Sequence, residues 1–165
     1  MAAALPPHFP ATLGEAFARI NAVTAPTIDD LKIMVLVEAA GLELYNGMAK
    51  GTDNAEVIAL LHHNGREELA HAHRVAKAIL ALTGEDFAPP SSDDNPYLGV
   101  APPAMPMTPD VLKRLAQGEF GGEALYESWA ANIGNEAAAQ QFRLNGKEEA
   151  DHGQRLLAAA ALHEA

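Results

Sequence analysis

The chain contains no cysteine, few aromatic residues and few basic residues. Because none of its 165 residues is cysteine, it forms no disulfide framework, no thiolate zinc site, no iron–sulfur cluster and no cysteine nucleophile. Aromatic residues make up 5 % of the chain, whereas hydrophobic residues as a whole make up 48 %. This mixture is rich in alanine, leucine and glutamate, so it favours helices over strands. The length is that of one domain.

Acidic residues outnumber basic ones by 22 to 11, which gives a formal net charge of −11. Such a surface repels nucleic acid and anionic membranes and attracts cations, although solubility alone is an equally good reason for it. No apolar run approaches the roughly 20 residues that span a bilayer. Residues 1–10 also lack the basic region and long apolar stretch of a signal peptide. We therefore expect a soluble, cytoplasmic protein with no nucleic-acid or membrane partner.

Four long segments carry apolar residues at every third or fourth position, the spacing of amphipathic helices. They form two expected helical hairpins, 27–84 and 108–162. Thr27 and Thr108 are the expected N-caps of the first and third helices. Residues 1–26 are an N-terminal extension in which a short amphipathic helix is expected around 13–23.

The connection between the hairpins, residues 85–107, contains six prolines. A helix of about 28 residues is roughly 40 Å long, and a connection of this length can run back along it. The order hairpin, long crossover, hairpin is that of ferritin-like bundles. We therefore expect an all-α fold, namely a ferritin-like antiparallel four-helix bundle with one long crossover between helices 2 and 3.

The motif Glu-x-x-His occurs twice, as Glu68–His71 and again 81 residues later as Glu149–His152. Three residues on a helix is almost one turn, so each motif presents a carboxylate and an imidazole on the same face. The two motifs lie in similar octets that begin with Asn-Gly. Three further residues recur at the same offset of 81: Glu38 as Glu119, Gly41 as Gly122, and Tyr45 as Tyr126.

Two such motifs that face each other, with one more glutamate from each of two other helices, make a di-iron or di-manganese site in a four-helix bundle. A single Glu-x-x-His is more often a surface pair, but the doubled pattern predicts a site for two Fe ions, or Mn. Oxygen-rich ligation with one imidazole per metal suits these metals better than zinc. The six expected ligands are Glu38, Glu68, His71, Glu119, Glu149 and His152. By the usual geometry, Glu68 and Glu149 would bridge the metals.

The chain resembles the ferritin-like di-iron domain of rubrerythrins over about residues 30–160. The resemblance rests on Glu38 and Glu119, each followed by a tyrosine seven residues later, and on the two Glu-x-x-His motifs. The resemblance implies an iron pair that reduces H2O2, or oxidises Fe(II) with O2 or peroxide, in oxidative-stress defence. Rubrerythrins also carry a cysteine-rich rubredoxin domain that this chain lacks, so an external electron donor is expected. Their additional glutamate, three residues after the third-helix ligand, falls on Gly122. Glu123 is then either a further ligand or a solvated surface glutamate.

Alternative functions are a ferroxidase that handles iron, and a helical structural or interaction module with a vestigial metal site. Substrate hydroxylation is a minor alternative. Small-residue helix faces outside the core lead us to expect a homodimer.

Several polar and aromatic residues near the motifs have simpler interpretations. Tyr45 and Tyr126 are expected in the core, with hydrogen bonds to ligand carboxylates as the alternative, and Trp129 in the core or at a subunit contact. The remaining acidic and histidine side chains near the motifs are expected at the surface, with solvation favoured over contacts behind the ligands: His62, His63, Glu67, His73 and Glu148.

Overall fold

The computed structural model describes residues 5–99 and 105–163, and within these ranges it is helical with no strand. Five α-helices follow one another, with one 3-10 turn at Pro96–Leu98. They are α1 (Leu13–Asn21), α2 (Ile28–Ala49), α3 (Ala55–Thr83), α4 (Pro109–Asn132) and α5 (Glu136–Ala161). The expected all-α class is confirmed. No helix in the described part of the chain is long and apolar enough to cross a membrane.

The helix ends follow the local capping chemistry of the sequence. The Thr27 side chain accepts the backbone N–H of Asp30, whose carboxylate accepts the Thr27 N–H in return, so α2 starts with a capping box. Thr108 caps α4 in front of Pro109. Gly84 ends α3 with a φ of 75°, a left-handed conformation that glycine adopts without strain.

The long helices pack as two hairpins, α2 with α3 and α4 with α5, and the hairpins meet through α3 and α5. Helices α2 and α4 pack less closely, and side chains that cross between them make the contact. Apolar residues form two separate core clusters, one towards each end of the long helices. The clusters leave a polar region at the middle of the helices, where all the predicted ligands lie.

The N-terminal extension packs on the bundle through α1, whose Ala16 and Ile20 are buried against α2. The indole N–H of Trp129 donates to the Val23 carbonyl over 2.7 Å, so this tryptophan lies in the core. The part of the extension formed by residues 1–4 lies outside the described residues.

The connection between the hairpins runs along α2 where the structure describes it. The Asn95 amide donates to the Leu36 carbonyl over 2.8 Å, and the Met107 N–H donates to the Gly51 carbonyl over 3.0 Å. The first contact lies just before Glu38 in α2, and the second lies just beyond the end of α2. Pro102 and Pro103, two of the six prolines of this segment, fall outside the described residues.

Candidate metal centre

The six predicted ligands meet at the middle of the four long helices. Their donor atoms form two overlapping groups of four, each within 4.8 Å: Glu38, Glu68, His71 and Glu149 in one, Glu68, Glu119, Glu149 and His152 in the other. A third group of three joins Glu68 to both histidines. Glu68 and Glu149 belong to both groups of four. All six side chains are buried except that of Glu119, which is 17 % exposed. The structure therefore brings together carboxylates and imidazoles that lie far apart in sequence.

Each histidine faces three carboxylates through its Nδ1 atom. His71 Nδ1 lies 3.2 Å from Glu149, 3.6 Å from Glu68 and 3.7 Å from Glu38. The distances of His152 Nδ1 repeat this pattern closely: 3.2 Å to Glu68, 3.6 Å to Glu149 and 3.8 Å to Glu119. The two imidazole rings stack at 5.1 Å with an interplanar angle of 17°. The sequence repeat thus appears in space as two nearly equivalent halves.

These Nδ1 atoms have no hydrogen-bond partner within the described residues, although both are buried. A buried polar atom without a partner costs about 1–3 kcal/mol. The opposite nitrogens are engaged, because Nε2 of His71 lies 3.1 Å from Glu148 and Nε2 of His152 lies 3.1 Å from Glu67. An Nε2–H that donates to a carboxylate leaves the Nδ1 lone pair free to bind a metal. The donor set therefore fits a metal ion.

Glu67 and Glu148 lie behind the histidines, so the expectation that they are solvated is wrong. Arg74 donates to both oxygens of Glu148 over 2.7 and 2.8 Å, and Arg155 pairs with Glu67. Each glutamate reaches the histidine of the opposite helix across the α3–α5 contact. The helical period shows only that each of these glutamates points away from the ligands of its own helix. It does not show which side chains of the neighbouring helix the glutamate contacts.

Two buried asparagines complete this arrangement. The Arg155 side chain donates to Asn64 over 2.6 Å, and the Arg74 side chain donates to Asn145 over 3.2 Å. Asn145 in turn donates to the His71 carbonyl over 3.2 Å. Sequence reasoning missed these roles, although both arginines and both asparagines repeat at the offset of 81, which was the available signal.

The two tyrosines connect α2 with α4. Tyr45 donates its hydroxyl hydrogen to Glu119, and Tyr126 donates to Glu38. Both rings are buried, so the tyrosines lie in the core as expected. They also make the hydrogen bonds to ligand carboxylates that were the alternative expectation.

The other side chains near the motifs lie outside the cluster. Glu123 is absent from the groups of ligand atoms that the described residues form. His62 contacts Asn46 at 3.0 Å and His73 is exposed. His63 is half exposed, but its Nε2 lies 3.2 Å from Glu67, so it reaches the group behind His152.

Burial and repulsion between neighbouring carboxylates raise the pKa values of Glu38 and Glu119. Burial raises the pKa of Glu119 to about 8, and burial with the charges of Glu68 and Glu149 raises the pKa of Glu38 well above its usual value. Burial opposes protonation of His152, but the nearby carboxylates of Glu119, Glu149 and Glu68 outweigh it and raise its pKa to about 12. Protons therefore compensate part of the negative charge where no cation is bound. Divalent cations would replace them.

Glycines let the helices of each hairpin approach at the site. A Cβ atom on Gly41 would lie 2.7 Å from Cβ of Glu68, and one on Gly122 would lie 3.2 Å from the carboxylate carbon of Glu149. The resemblance to rubrerythrins places their additional glutamate at Gly122. In this chain Glu149 packs closely against Gly122, so a larger side chain would collide with it, and Glu123 lies outside the cluster.

A groove of about 380 Å³ between α2 and α4 reaches the carboxylates. The four glutamates lie along it, and its walls are mainly apolar: Met34, Val37, Leu44, Met48, Leu115 and Leu125. The opposite side of the centre, between α3 and α5, is filled by the arginine–glutamate–asparagine contacts behind the histidines.

No family model, curated protein or solved structure matches the chain. The buried cluster of glutamates and histidines could hold a metal ion.

Proposed function

We propose that the protein is a rubrerythrin-like di-iron-carboxylate oxidoreductase that reduces hydrogen peroxide with electrons from an external donor. The observation that carries the proposal is the pair of buried, unpartnered Nδ1 atoms, on His71 and His152, that face four carboxylates. The fold we propose is the ferritin-like bundle with one crossover. The packing of the hairpins through α3 and α5, and the course of residues 85–99 and 105–107 along α2, support it.

Charge and donor chemistry favour two divalent ions of the iron or manganese type. Four carboxylates carry a charge of −4 when ionised, and two divalent cations neutralise it. Hard oxygen donors with one imidazole per ion suit these metals. In the proposed site Glu68 and Glu149 would be shared by the two ions, because their oxygens belong to both groups of four donor atoms. Glu38 with His71 would complete the ligands of one ion, and Glu119 with His152 those of the other.

The surrounding residues orient the ligands. Glu148 and Glu67 accept the Nε2–H of the two histidines, which sets the tautomer that directs Nδ1 into the cluster. Tyr126 and Tyr45 hold Glu38 and Glu119 in place across the groove. The bound iron pair would supply the two electrons that reduction of a peroxide requires. The apolar clusters on both sides keep bulk water away from the centre.

Metal analysis tests the centre. After anaerobic reconstitution with Fe(II) we expect about two Fe per chain, and removal of both shared carboxylates, Glu68→Ala with Glu149→Ala, should abolish binding. Glu56→Ala with Glu127→Ala is the matched control, because these glutamates are exposed on α3 and α4. Less than about one Fe or Mn per chain in the unaltered protein would contradict the proposal.

Stopped-flow reoxidation of the Fe(II)-loaded protein tests the reaction. We expect the iron to oxidise much faster with H2O2 than with O2. A faster reaction with O2 would instead favour the ferroxidase alternative, in which Fe(II) is the substrate. Retention of activity by the Glu68→Ala, Glu149→Ala variant would indicate a vestigial site.

A further inference from the structure

The groove between α2 and α4 is much larger than hydrogen peroxide requires. Its volume of about 380 Å³ lies in the range of small-molecule sites, roughly 300–1,000 Å³. A water molecule takes about 30 Å³, and hydrogen peroxide is only slightly larger. If peroxide were the single substrate, most of the groove would have no function in the reaction.

The walls and the floor of the groove differ in chemistry. Leu44 and Met48 from α2 and Leu115 from α4 give apolar walls, whereas the four carboxylates of the proposed metal centre lie at the floor. The net charge of −11 disfavours an anionic ligand, and Arg114 is the cationic side chain in the lining of the groove. The best occupant is therefore an uncharged molecule with an apolar body and a reactive polar end.

We propose that the groove binds an organic hydroperoxide, with its apolar body against these walls and its O–O group at the metal centre. The inference rests on the proposed function, because the same centre carries out the reaction. Reduction of ROOH to ROH and H2O breaks the O–O bond and consumes two protons and two electrons. The protons would come from water, and the two electrons would come from the external donor through the iron pair that the six ligands would hold.

Gly118 offers a specific way to fill the groove. It lines the groove on α4, and a Cβ atom added there meets nothing within 4 Å, so a leucine introduces no close contact at its Cβ atom. Gly121 is the matched control. It lies on the same helix with equally open space, but it does not line the groove. Both glycine-to-leucine changes raise helix propensity by the same amount.

The experiment compares the unaltered protein, Gly118→Leu and Gly121→Leu by two measurements. The first is calorimetric binding of cumyl alcohol, the unreactive product of cumene hydroperoxide. The second is the rate of reoxidation of the Fe(II)-loaded protein by cumene hydroperoxide and by H2O2. We expect Gly118→Leu to lose alcohol binding and to slow the organic reaction by at least about tenfold more than the H2O2 reaction. Gly121→Leu should behave like the unaltered protein.

Three results would overturn the inference: no binding of cumyl alcohol by the unaltered protein, equal slowing of both peroxides by Gly118→Leu, or no slowing of either. Light scattering identifies the competing occupant, because a dimer that Gly118→Leu separates would show that a second copy covers the groove. If the protein reduces H2O2 but Gly118→Leu does not slow the organic peroxide more than H2O2, only this inference fails. Failure to react with any peroxide sinks the proposed function as well.

Discussion

Gly41 should be the least replaceable glycine of the site, and the structure gives a magnitude for its replacement. In Gly41→Ala the new methyl carbon would lie 2.7 Å from both Cβ and Cγ of Glu68. Carbon atoms in contact normally lie about 3.5–4.0 Å apart, so an overlap of roughly 1 Å must be relieved. Cβ of Glu68 is attached directly to the α3 backbone. The relief therefore requires α2 and α3 to separate, rather than one side chain to rotate.

Overpacking of this kind costs about 1–3 kcal/mol, whereas alanine is a better helix former than glycine by about 1 kcal/mol. Gly121→Ala provides the propensity gain alone, because a Cβ atom there meets nothing within 4 Å. The difference between the two variants therefore isolates the steric cost. In a domain of this size it corresponds to a melting temperature lower by roughly 3–10 °C for Gly41→Ala than for Gly121→Ala.

Thermal unfolding of the metal-free proteins, followed by circular dichroism, measures this difference. Iron content after reconstitution gives an independent measurement, because displacement of Glu68 should lower metal binding in Gly41→Ala only. Gly122→Ala should fall between the two variants, since its nearest contact would be 3.2 Å. If Gly41→Ala unfolds at the same temperature as Gly121→Ala, the close approach of α2 and α3 is not as the structure has it.

Three further predictions concern the carboxylates. Without metal, Glu68→Ala with Glu149→Ala should lower the free energy of unfolding, because, despite burial, His71 and His152 hold the pKa of both carboxyls below the usual value and would lose these partners; an unchanged or higher value in chemical denaturation would contradict this. Glu148→Gln should weaken iron binding by about 10–100-fold in a chelator competition, whereas Glu127→Gln, at an exposed position of α4, should not change it. The pKa of Glu119 is raised from 4.5 to about 8 in the folded protein, so its protonated form favours folding. The metal-free protein should therefore lose stability as the pH rises from about 5 to 8. Glu119→Gln should flatten that dependence in melting curves, and an equally steep one in the variant would show that Glu119 is not its cause.

The helices and the ligand residues were accessible to sequence reasoning because both depend on local rules. Thr27, Asn54 and Thr108 cap their helices through side chains that bond to backbone groups two or three residues away. The spacing in each Glu-x-x-His motif puts two side chains on one helical face, whatever lies opposite. The repeat then related the two halves of the site. These signals were sufficient for the all-α class and for the six residues that meet at the centre of the structure.

Only the tertiary structure decided which side chains meet across helices. Glu67 contacts His152, 85 residues away, and Tyr45 contacts Glu119, 74 residues away. Such pairings depend on the axial shift and rotation with which two helices pack, and the period of a single helix does not contain these quantities. For the same reason the groove between α2 and α4 has no signature in the sequence: its walls are ordinary apolar helix positions, and the space exists because those two helices pack less closely than the others.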